Sequence, residues 1–224
     1  MTYSKISVLI PTRHRIERLE TLLASFYATT QDGGAELVFR VDDDDYMTPR
    51  FLATRGSAHV VIGPRLGGYE SLPVFFNEMW VHATGDVFMC GNDDMVFRTP
   101  GWPQLILDVA NRYPDGLFNI GVSTHNESHY PFSVTSRKVA EHLGFLWDPR
   151  IFWGDIYLRD VMNAFSRTIP LPSVQIDHDW AGKNPDQTFI EGNAQRFVSR
   201  DQTYWLGPHL SAVRDAVAKL QVLQ

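Results

Sequence analysis

Short apolar runs and amphipathic stretches alternate along the first hundred residues. Ile6-Ser7-Val8-Leu9-Ile10 is a nearly continuous apolar run closed by Pro11, which predicts a buried strand. Ile16, Leu19, Leu22, Leu23 and Phe26 then recur at helical spacing and predict an amphipathic helix. Gly33-Gly34 breaks the chain before a second strand, Leu37 to Val41, and Pro49 begins a short helix or turn. His59-Val60-Val61-Ile62 predicts a third strand closed by Gly63-Pro64. A helix over Leu72 to Ala83 ends before Gly85, and Val87 to Cys90 is a fourth strand. Strands alternating with helices in this way predict an α/β fold with a parallel sheet covered by helices.

Beyond Asp94 the pattern is less regular. Leu105, Ile106, Val109 and Ala110 mark one helix face, Leu117 to Val122 a strand, and Pro131 to Thr135 another. Ser136 is placed to cap a helix running to Leu143. Gly154 to Ala164 is helical by pattern, and Ser173 to Ile176 is a last strand. A final helix, Leu210 to Leu223, carries Leu210, Val213, Val217 and Leu220 on one face. With no repeat, low-complexity tract or long linker, residues 1–224 read as a single domain with a looser second half.

Composition narrows the classes. Hydrophobic residues make up 44% of the 224, enough for a substantial core. The net charge of −6 argues against a broad basic footprint for nucleic acid. The lone Cys90 cannot form an internal disulfide and reads as a small buried hydrophobe. No leader-like segment opens the chain, and no apolar run approaches the roughly 18 residues that span a bilayer. A cytoplasmic protein without a transmembrane segment is the expectation.

Two strand ends carry the chemistry. The run Asp86-Val87-Phe88-Met89-Cys90 passes directly into Gly91-Asn92-Asp93-Asp94, and Val41 passes into Asp42-Asp43-Asp44-Asp45. Adjacent carboxylates repel and are costly to desolvate, so a cation beside them is favoured. Oxygen-rich sites of this kind suit Mg2+ or Mn2+, which often bridge to phosphate oxygens. The alternatives are a polar turn for the first and a solvated acidic loop for the second. In a parallel sheet both acidic ends lie at the carboxyl edge, where ligands bind in open α/β folds.

Four pieces then match one family in order: Val8-Leu9-Ile10-Pro11-Thr12-Arg13-His14-Arg15, Val41-Asp42-Asp43, Asn77 with Ala83-Thr84-Gly85-Asp86, and Asn92-Asp93-Asp94. The chain resembles GT-A-type nucleotide-sugar glycosyltransferases, in particular the large inverting family that includes cellulose- and chitin-synthase-like enzymes. The resemblance implies a GT-A (Rossmann-like), mostly parallel sheet flanked by helices. Residues 1–100 would form the nucleotide-binding half, and residues 101–224 the acceptor half with the C-terminal helix. Pro11, Thr12 and Arg13 would line the base pocket. Asp42 or Asp43 would accept a hydrogen bond from the base, commonly uracil, since a carboxylate favours a ring N–H. Arg65 would meet a phosphate or the base, if it is not simply a surface arginine.

The same resemblance assigns the remaining roles. Asn92-Asp93-Asp94 stands at the family's Asp-X-Asp motif, with Asp94 as metal ligand. Asn92 departs from the usual acid; it can bond a ribose hydroxyl but supplies less charge, which shifts load to Asp93. Asp155, after Trp153-Gly154, matches the catalytic base, although a helix N-cap also suits it. His178, within Asp177-His178-Asp179, matches a further metal ligand. Trp102, Trp147, Phe152, Trp153, Tyr157 and Trp180 cluster around these acids, where aromatic rings can stack on sugars or fill the core. Trp153 and Trp180 are the best placed of them for acceptor contact. His14, His125 and His129 remain surface or acceptor-site candidates.

The implied activity is metal-dependent, inverting transfer of a sugar from a UDP-type donor to a hydroxyl, with Mn2+ or Mg2+ as cofactor. The acceptor stays open among a glycan, a lipid-linked sugar, a protein, a small molecule and a modified DNA base. Three rivals stand beside it. A haloacid-dehalogenase-like phosphohydrolase would use Asp42-Asp43-Asp44 as its nucleophile motif. A sugar nucleotidyltransferase would need a glycine-rich loop that Pro11 to Arg15 lacks. A non-catalytic nucleotide-binding protein would have no use for Asp155 and His178.

Overall fold

Ile6–Thr12 (β1) is the central strand because both of its faces are apolar. Ile6, Val8 and Ile10 enter one core layer and Leu9 the other, as the two-residue repeat of a strand requires. The computed structural model describes residues 2–31, 33–56, 58–68, 71–124, 130–151, 153–178 and 202–224. After β1 come α1 (Ile16–Thr29), β2 (Ala35–Asp42), α2 (Met47–Ala53), β3 (Ala58–Gly63), α3 (Leu72–Trp80) and β4 (Val87–Cys90). The second half contains β5 (Met95–Phe97), α4 (Trp102–Ala110), β6 (Asn119–Ser123), β7 (Ser133–Ser136), α5 (Arg137–Leu143), α6 (Gly154–Asn163), β8 (Thr168–His178) and α7 (Gln202–Leu220). A single 3-10 turn, Gln221–Leu223, follows α7.

Strand order is β3-β2-β1-β4-β7-β6-β8-β5. β1 pairs in parallel with β2 and β4, and β3 with β2, so four carboxyl ends share one edge as the alternation predicts. Antiparallel β7 joins β4 to the second half, where β6 and β8 are parallel. Leu19, Leu22, Phe26, Trp102 and Ile106 from α1 and α4 cover one face of the sheet. Phe76, Met79, Val139, Tyr157, Val161 and Ala216 from α3, α5, α6 and α7 cover the other.

Several details depart from the sequence pattern. β5 is only three residues long, too short to show a strand period. β8 extends well beyond Ser173–Ile176 and changes partner along its length. Val122 faces Leu171, Ser123 faces Gln175 across a bulge, and the strand then takes β5, with Ile176 against Phe97 and His178 against Met95. Leu105 points away from the core, leaving Ile106, Val109 and Ala110 as the buried face of α4. On α7, Ala212, Ala216 and Leu220 are buried while Leu210 is 57% exposed. Ser136 caps α5 as expected, accepting from the Val139 amide at 3.2 Å.

At the amino edge of the sheet, opposite the acidic strand ends, Ala83-Thr84-Gly85-Asp86 serves the fold. A Cβ on Gly85 would lie 2.7 Å from the Ser7 amide nitrogen and 2.9 Å from the Lys5 carbonyl, so only glycine lets the chain pass β1 here. Asp86 accepts from the Ser4 amide and hydroxyl, and Arg137 donates to the Ala83 and Gly85 carbonyls. Buried Glu36 accepts from Lys5 Nζ at 2.7 Å, the Ser7 hydroxyl at 2.6 Å, and the Thr84 amide and hydroxyl at 2.6 and 2.7 Å.

Burial pushes the Glu36 carboxyl up, but these donors outweigh it and hold the group at about 2, against an ordinary 4.5. That depression contributes about 3 kcal/mol of stability. The contribution is complete above the unfolded value and is lost as pH falls through the folded one. Urea unfolding should therefore show Glu36→Gln to be less stable by about that amount at neutral pH. The gap to the unsubstituted protein should close as pH drops from about 4.5 toward about 2.

Candidate functional site

The turn after β4 is locked to the end of β1. The Gly91 amide donates to the Leu9 carbonyl at 2.9 Å, and the Met95 amide closes on the Asn92 carbonyl at 3.3 Å. Asp93 is buried, and both of its oxygens are committed to protein donors: Oδ2 accepts from the Thr12 hydroxyl and Oδ1 from Arg15 Nη1, each at 2.8 Å. Burial raises the Asp93 carboxyl; Arg15 opposes the rise and neighbouring Asp94 adds to it. Thr12 and Asp93, both expected to serve the nucleotide, thus bind each other, and Arg15 joins them. Asn92 is half-buried at the head of the turn.

Asp94 and His178 meet as expected. The final β5–β8 pair sets His178 opposite Met95, one residue from Asp94, and brings His178 Nε2 within 3.3 Å of Asp94 Oδ1. Phe132 holds the imidazole edge-on at 5.4 Å between ring centres. Asp94 Oδ1 is buried and accepts no hydrogen bond within the described protein. Neighbouring donors on one octahedral Mg2+ or Mn2+ lie about 3 Å apart, given bonds of about 2.1 Å. Both the spacing and the unsatisfied oxygen fit a divalent cation held jointly by Asp94 and His178. Among the described residues no group of three or more Asp, Glu, His or Cys converges, and Asp94 and His178 are the pair that meets here. Arg18 Nη1 stands 3.7 Å from the second Asp94 oxygen.

The Asp42–Asp45 run is far from a solvated loop. Asp45 accepts from the Thr48 amide and hydroxyl at the start of α2, and from the His14 amide at 2.7 Å. Burial pushes the Asp45 carboxyl up, but these bonds bring it below its ordinary value. They also hold His14 at φ +53°, a left-handed conformation that non-glycine residues seldom adopt. Arg13 bridges Asp44, with Nη2 at 2.8 Å, and Asp42, with Nε at 3.4 Å. The Arg13 hydrogen bonds draw Asp44 below the usual carboxylate range. Asp43 is exposed and accepts from the Arg65 amide at 3.1 Å, while Arg65 Nη1 reaches Asp44 at 3.4 Å.

Asp42 is buried, and its Oδ1 accepts from Arg40 Nη1. Burial raises the Asp42 carboxyl, with Arg40 and Arg13 opposing the rise. Arg40 itself is 1% exposed. Its basic side chain inside a predicted strand is a signal that sequence reasoning passed over, as are Arg15 and Arg18 at helical spacing after Arg13.

Asp155 lies in the first turn of α6, where Trp153 holds the cap position without a capping hydrogen bond. The Ser133 hydroxyl at the start of β7 donates to the Asp155 carbonyl at 3.5 Å, which sets the first turn of α6 against the strand next to β4. A chain of contacts fixes this placement. Asn77 on α3 accepts from the Leu146 and Trp147 amides at 2.8 and 3.1 Å and donates to the Trp147 carbonyl at 2.7 Å. The Trp147 ring in turn lies directly on Gly154, where a Cβ would fall 1.8 Å from Cδ2. Trp102, Trp147 and Tyr157 are core residues, whereas Trp153 is half-buried next to Asp155. Phe152, Asp179, Trp180, His125 and His129 lie outside the described residues.

By sequence, no protein-family model and no curated protein matches the chain. By structure, its fold is similar to that of mannosyltransferase PcManGT from Pyrobaculum calidifontis, solved with GDP-Man and Mn2+. That match has a TM-score of 0.64 at 15% identity and covers 100% of this chain and 74% of the other. S. aureus TarS, residues 1–349, aligns at TM-score 0.62 and 13% identity over 96% of this chain and 83% of its own. GalNAc-T7, solved with UDP, GalNAc and Mn2+, aligns at 0.58 and 11% over 79% of this chain and 44% of its own. The chain therefore has the GT-A fold.

Gly154→Ala tests the support beneath Asp155. The added methyl meets the Trp147 ring, and we expect a loss of about 1–3 kcal/mol in thermal or urea unfolding. Adding Trp147→Phe should recover part of that loss, giving a less-than-additive double variant.

Proposed function

We propose that this protein is a metal-dependent glycosyltransferase that moves a sugar from a nucleoside diphosphate donor, of the UDP type, to a hydroxyl acceptor with inversion at the anomeric carbon. One observation carries the proposal: Asp94 Oδ1 and His178 Nε2 converge to 3.3 Å at the carboxyl edge of a GT-A sheet, with the carboxylate oxygen left unsatisfied. The similarity to chains solved with GDP-Man, UDP and Mn2+ supports the donor class and the cofactor.

In this reading Asp94 and His178 hold Mn2+ or Mg2+, and a bound ion supplies Lewis-acid neutralisation of charge on the departing diphosphate. The end of β1 (Pro11, Thr12, Arg13) and the end of β2 (Asp42, with Asp43 at the rim) form the base pocket. Arg65 meets the base or a phosphate, and Asn92 a ribose hydroxyl. Asp93 works indirectly, holding the Asn92–Asp94 turn against Thr12 and Arg15. Residues 1–100 thus bind the donor, and residues 101–224 supply Asp155 and the acceptor surface, which begins at Trp153.

Asp155 takes the proton from the acceptor hydroxyl as its oxygen attacks the anomeric carbon. The bond from that carbon to the diphosphate oxygen breaks on the opposite side, and its electron pair leaves with the diphosphate. No helix among the described residues is long and apolar enough to cross a membrane. A cytoplasmic location belongs to the same proposal, in keeping with the buried free thiol of Cys90. The haloacid-dehalogenase-like alternative fares poorly, because burial and ion pairing with Arg40 and Arg13 leave Asp42 ill suited as a nucleophile.

Titration calorimetry with UDP, with and without Mn2+, tests the donor half. Asp94→Ala should weaken the Mn2+-assisted binding by at least about tenfold. Asp155→Asn should leave that binding intact while lowering transfer, or donor hydrolysis in its place, by about 100- to 10,000-fold. Full activity in both variants would sink the proposal.

A further inference from the structure

We infer that Arg40 is a positioning residue that fixes Asp42 as an ion-paired hydrogen-bond acceptor at the nucleotide end of the site, and so restricts the donor base to one presenting a ring N–H, uracil or guanine. The inference rests on the donor-binding half of the reading above and extends it to the residue behind the base pocket.

Arg40 is enclosed on every side that the structure describes. Nη1 donates to Asp42 Oδ1, Nε to Glu78 Oε2 at 2.9 Å, and Nη2 to the Pro64 carbonyl. The guanidinium lies 4.2 Å from the centre of the Phe75 ring. The end of β3 closes over it so tightly that a Cβ on Gly63 would lie 2.7 Å from Nη2. A planar fork with this many partners has one orientation, so the Asp42 carboxylate that it grips also has one orientation. Asp43, the other acid expected to accept from the base, is exposed and engages the Arg65 backbone instead. The geometry therefore selects Asp42 over Asp43.

The protonation state of Asp42 then becomes a statement about the base. An ionised carboxylate only accepts, which suits the N3–H of uracil and the N1–H of guanine. Cytosine N3 and adenine N1 present lone pairs at the same place and are repelled. A protonated carboxyl has the opposite preference: its O–H can donate to cytosine N3 while its carbonyl accepts from the exocyclic amine. Burial alone drives Asp42 toward the protonated form, and Arg40 is its strongest opponent. The other charged groups around the pair are Arg13 at the end of β1, Asp44 in the following loop, Arg65 beyond β3 and Glu78 on α3. Of these, Arg13 is also cationic toward Asp42 but stands at 3.4 Å and is shared with Asp44, whereas Arg40 divides its fork between Asp42 and Glu78 and hydrogen-bonds Asp42 directly.

The test is calorimetric binding of UDP, GDP, CDP and ADP in the presence of Mn2+. The unsubstituted protein should prefer UDP or GDP over both CDP and ADP by about tenfold or more at neutral pH. Arg40→Met, which keeps side-chain length and removes the charge, should collapse that preference and move its loss on acidification to higher pH. Arg40→Lys should retain most of the preference at neutral pH. A folded Arg40→Met protein with undiminished preference overturns the inference. If Arg40→Met does not fold, the unsubstituted protein decides alone. Its UDP-to-CDP preference should decline as pH falls from about 8 to about 4, and a flat ratio overturns the inference. Binding of all four diphosphates with equal affinity overturns it while leaving the glycosyltransferase reading in place, whereas no Mn2+-assisted binding of any of them removes both.

Discussion

Neutralising six carboxylates at one edge of the sheet is the constraint on which the rest of the structure depends. Asp42 to Asp45 end β2, and Asp93 and Asp94 follow β4, on strands separated only by β1. Such a concentration of like charge inside a fold is unstable unless each acid has a counter-charge or a set of hydrogen-bond donors. The chain meets the requirement with arginines drawn from three places: Arg13, Arg15 and Arg18 at the β1–α1 junction, Arg40 within β2, and Arg65 after β3. Removing one partner of these pairs would cost more than breaking a surface ion pair, because Arg40, Asp42 and Asp93 are almost wholly removed from water and the other charge would be left buried and uncompensated. Among the described residues, Asp94 Oδ1 is left without a hydrogen-bond partner, and the His178 imidazole stands 3.3 Å from it.

Much of this was legible in the sequence. Short, largely apolar runs placed the four parallel strands, because strands covered on both faces, as β1 and β4 are, show little polar alternation. The acids at the ends of two of those strands gave the site edge, and the resemblance supplied His178 and Asp155 from distant parts of the chain. The β4–β5–β8 geometry then brought His178 to Asp94, and the Trp147–Gly154 contact fixed the start of the helix that carries Asp155.

What escaped notice had physical reasons. β5 spans three residues, and its existence depends on a partner strand far along the chain. The buried face of α7 runs through Ala212 and Ala216, small residues that a search for large apolar side chains passes over, so the predicted face took in Leu210, which is exposed. Arg40 reads as a polar interruption of a strand until Phe75, Glu78 and Pro64 are seen around it. In the opposite direction, Ala83-Thr84-Gly85-Asp86 stood in the sequence as a family motif with no role assigned to it. Its residues hold the amino edge of the sheet together, through Glu36, Ser7 and Arg137.

The bulge between Val122 and Ser123 has a consequence for how such a protein can diversify. By releasing β6 and turning to β5, a single strand delivers its last residue to an acid laid down much earlier, so the cradle formed by Asp94 and His178 is closed by the two ends of a long intervening excursion. The helices and loops of that excursion can be lengthened, trimmed or reshaped while the cradle keeps its dimensions, provided that β8 still returns in register. Under the proposed function, the acceptor surface could then diverge without disturbing the residues assigned to the leaving group.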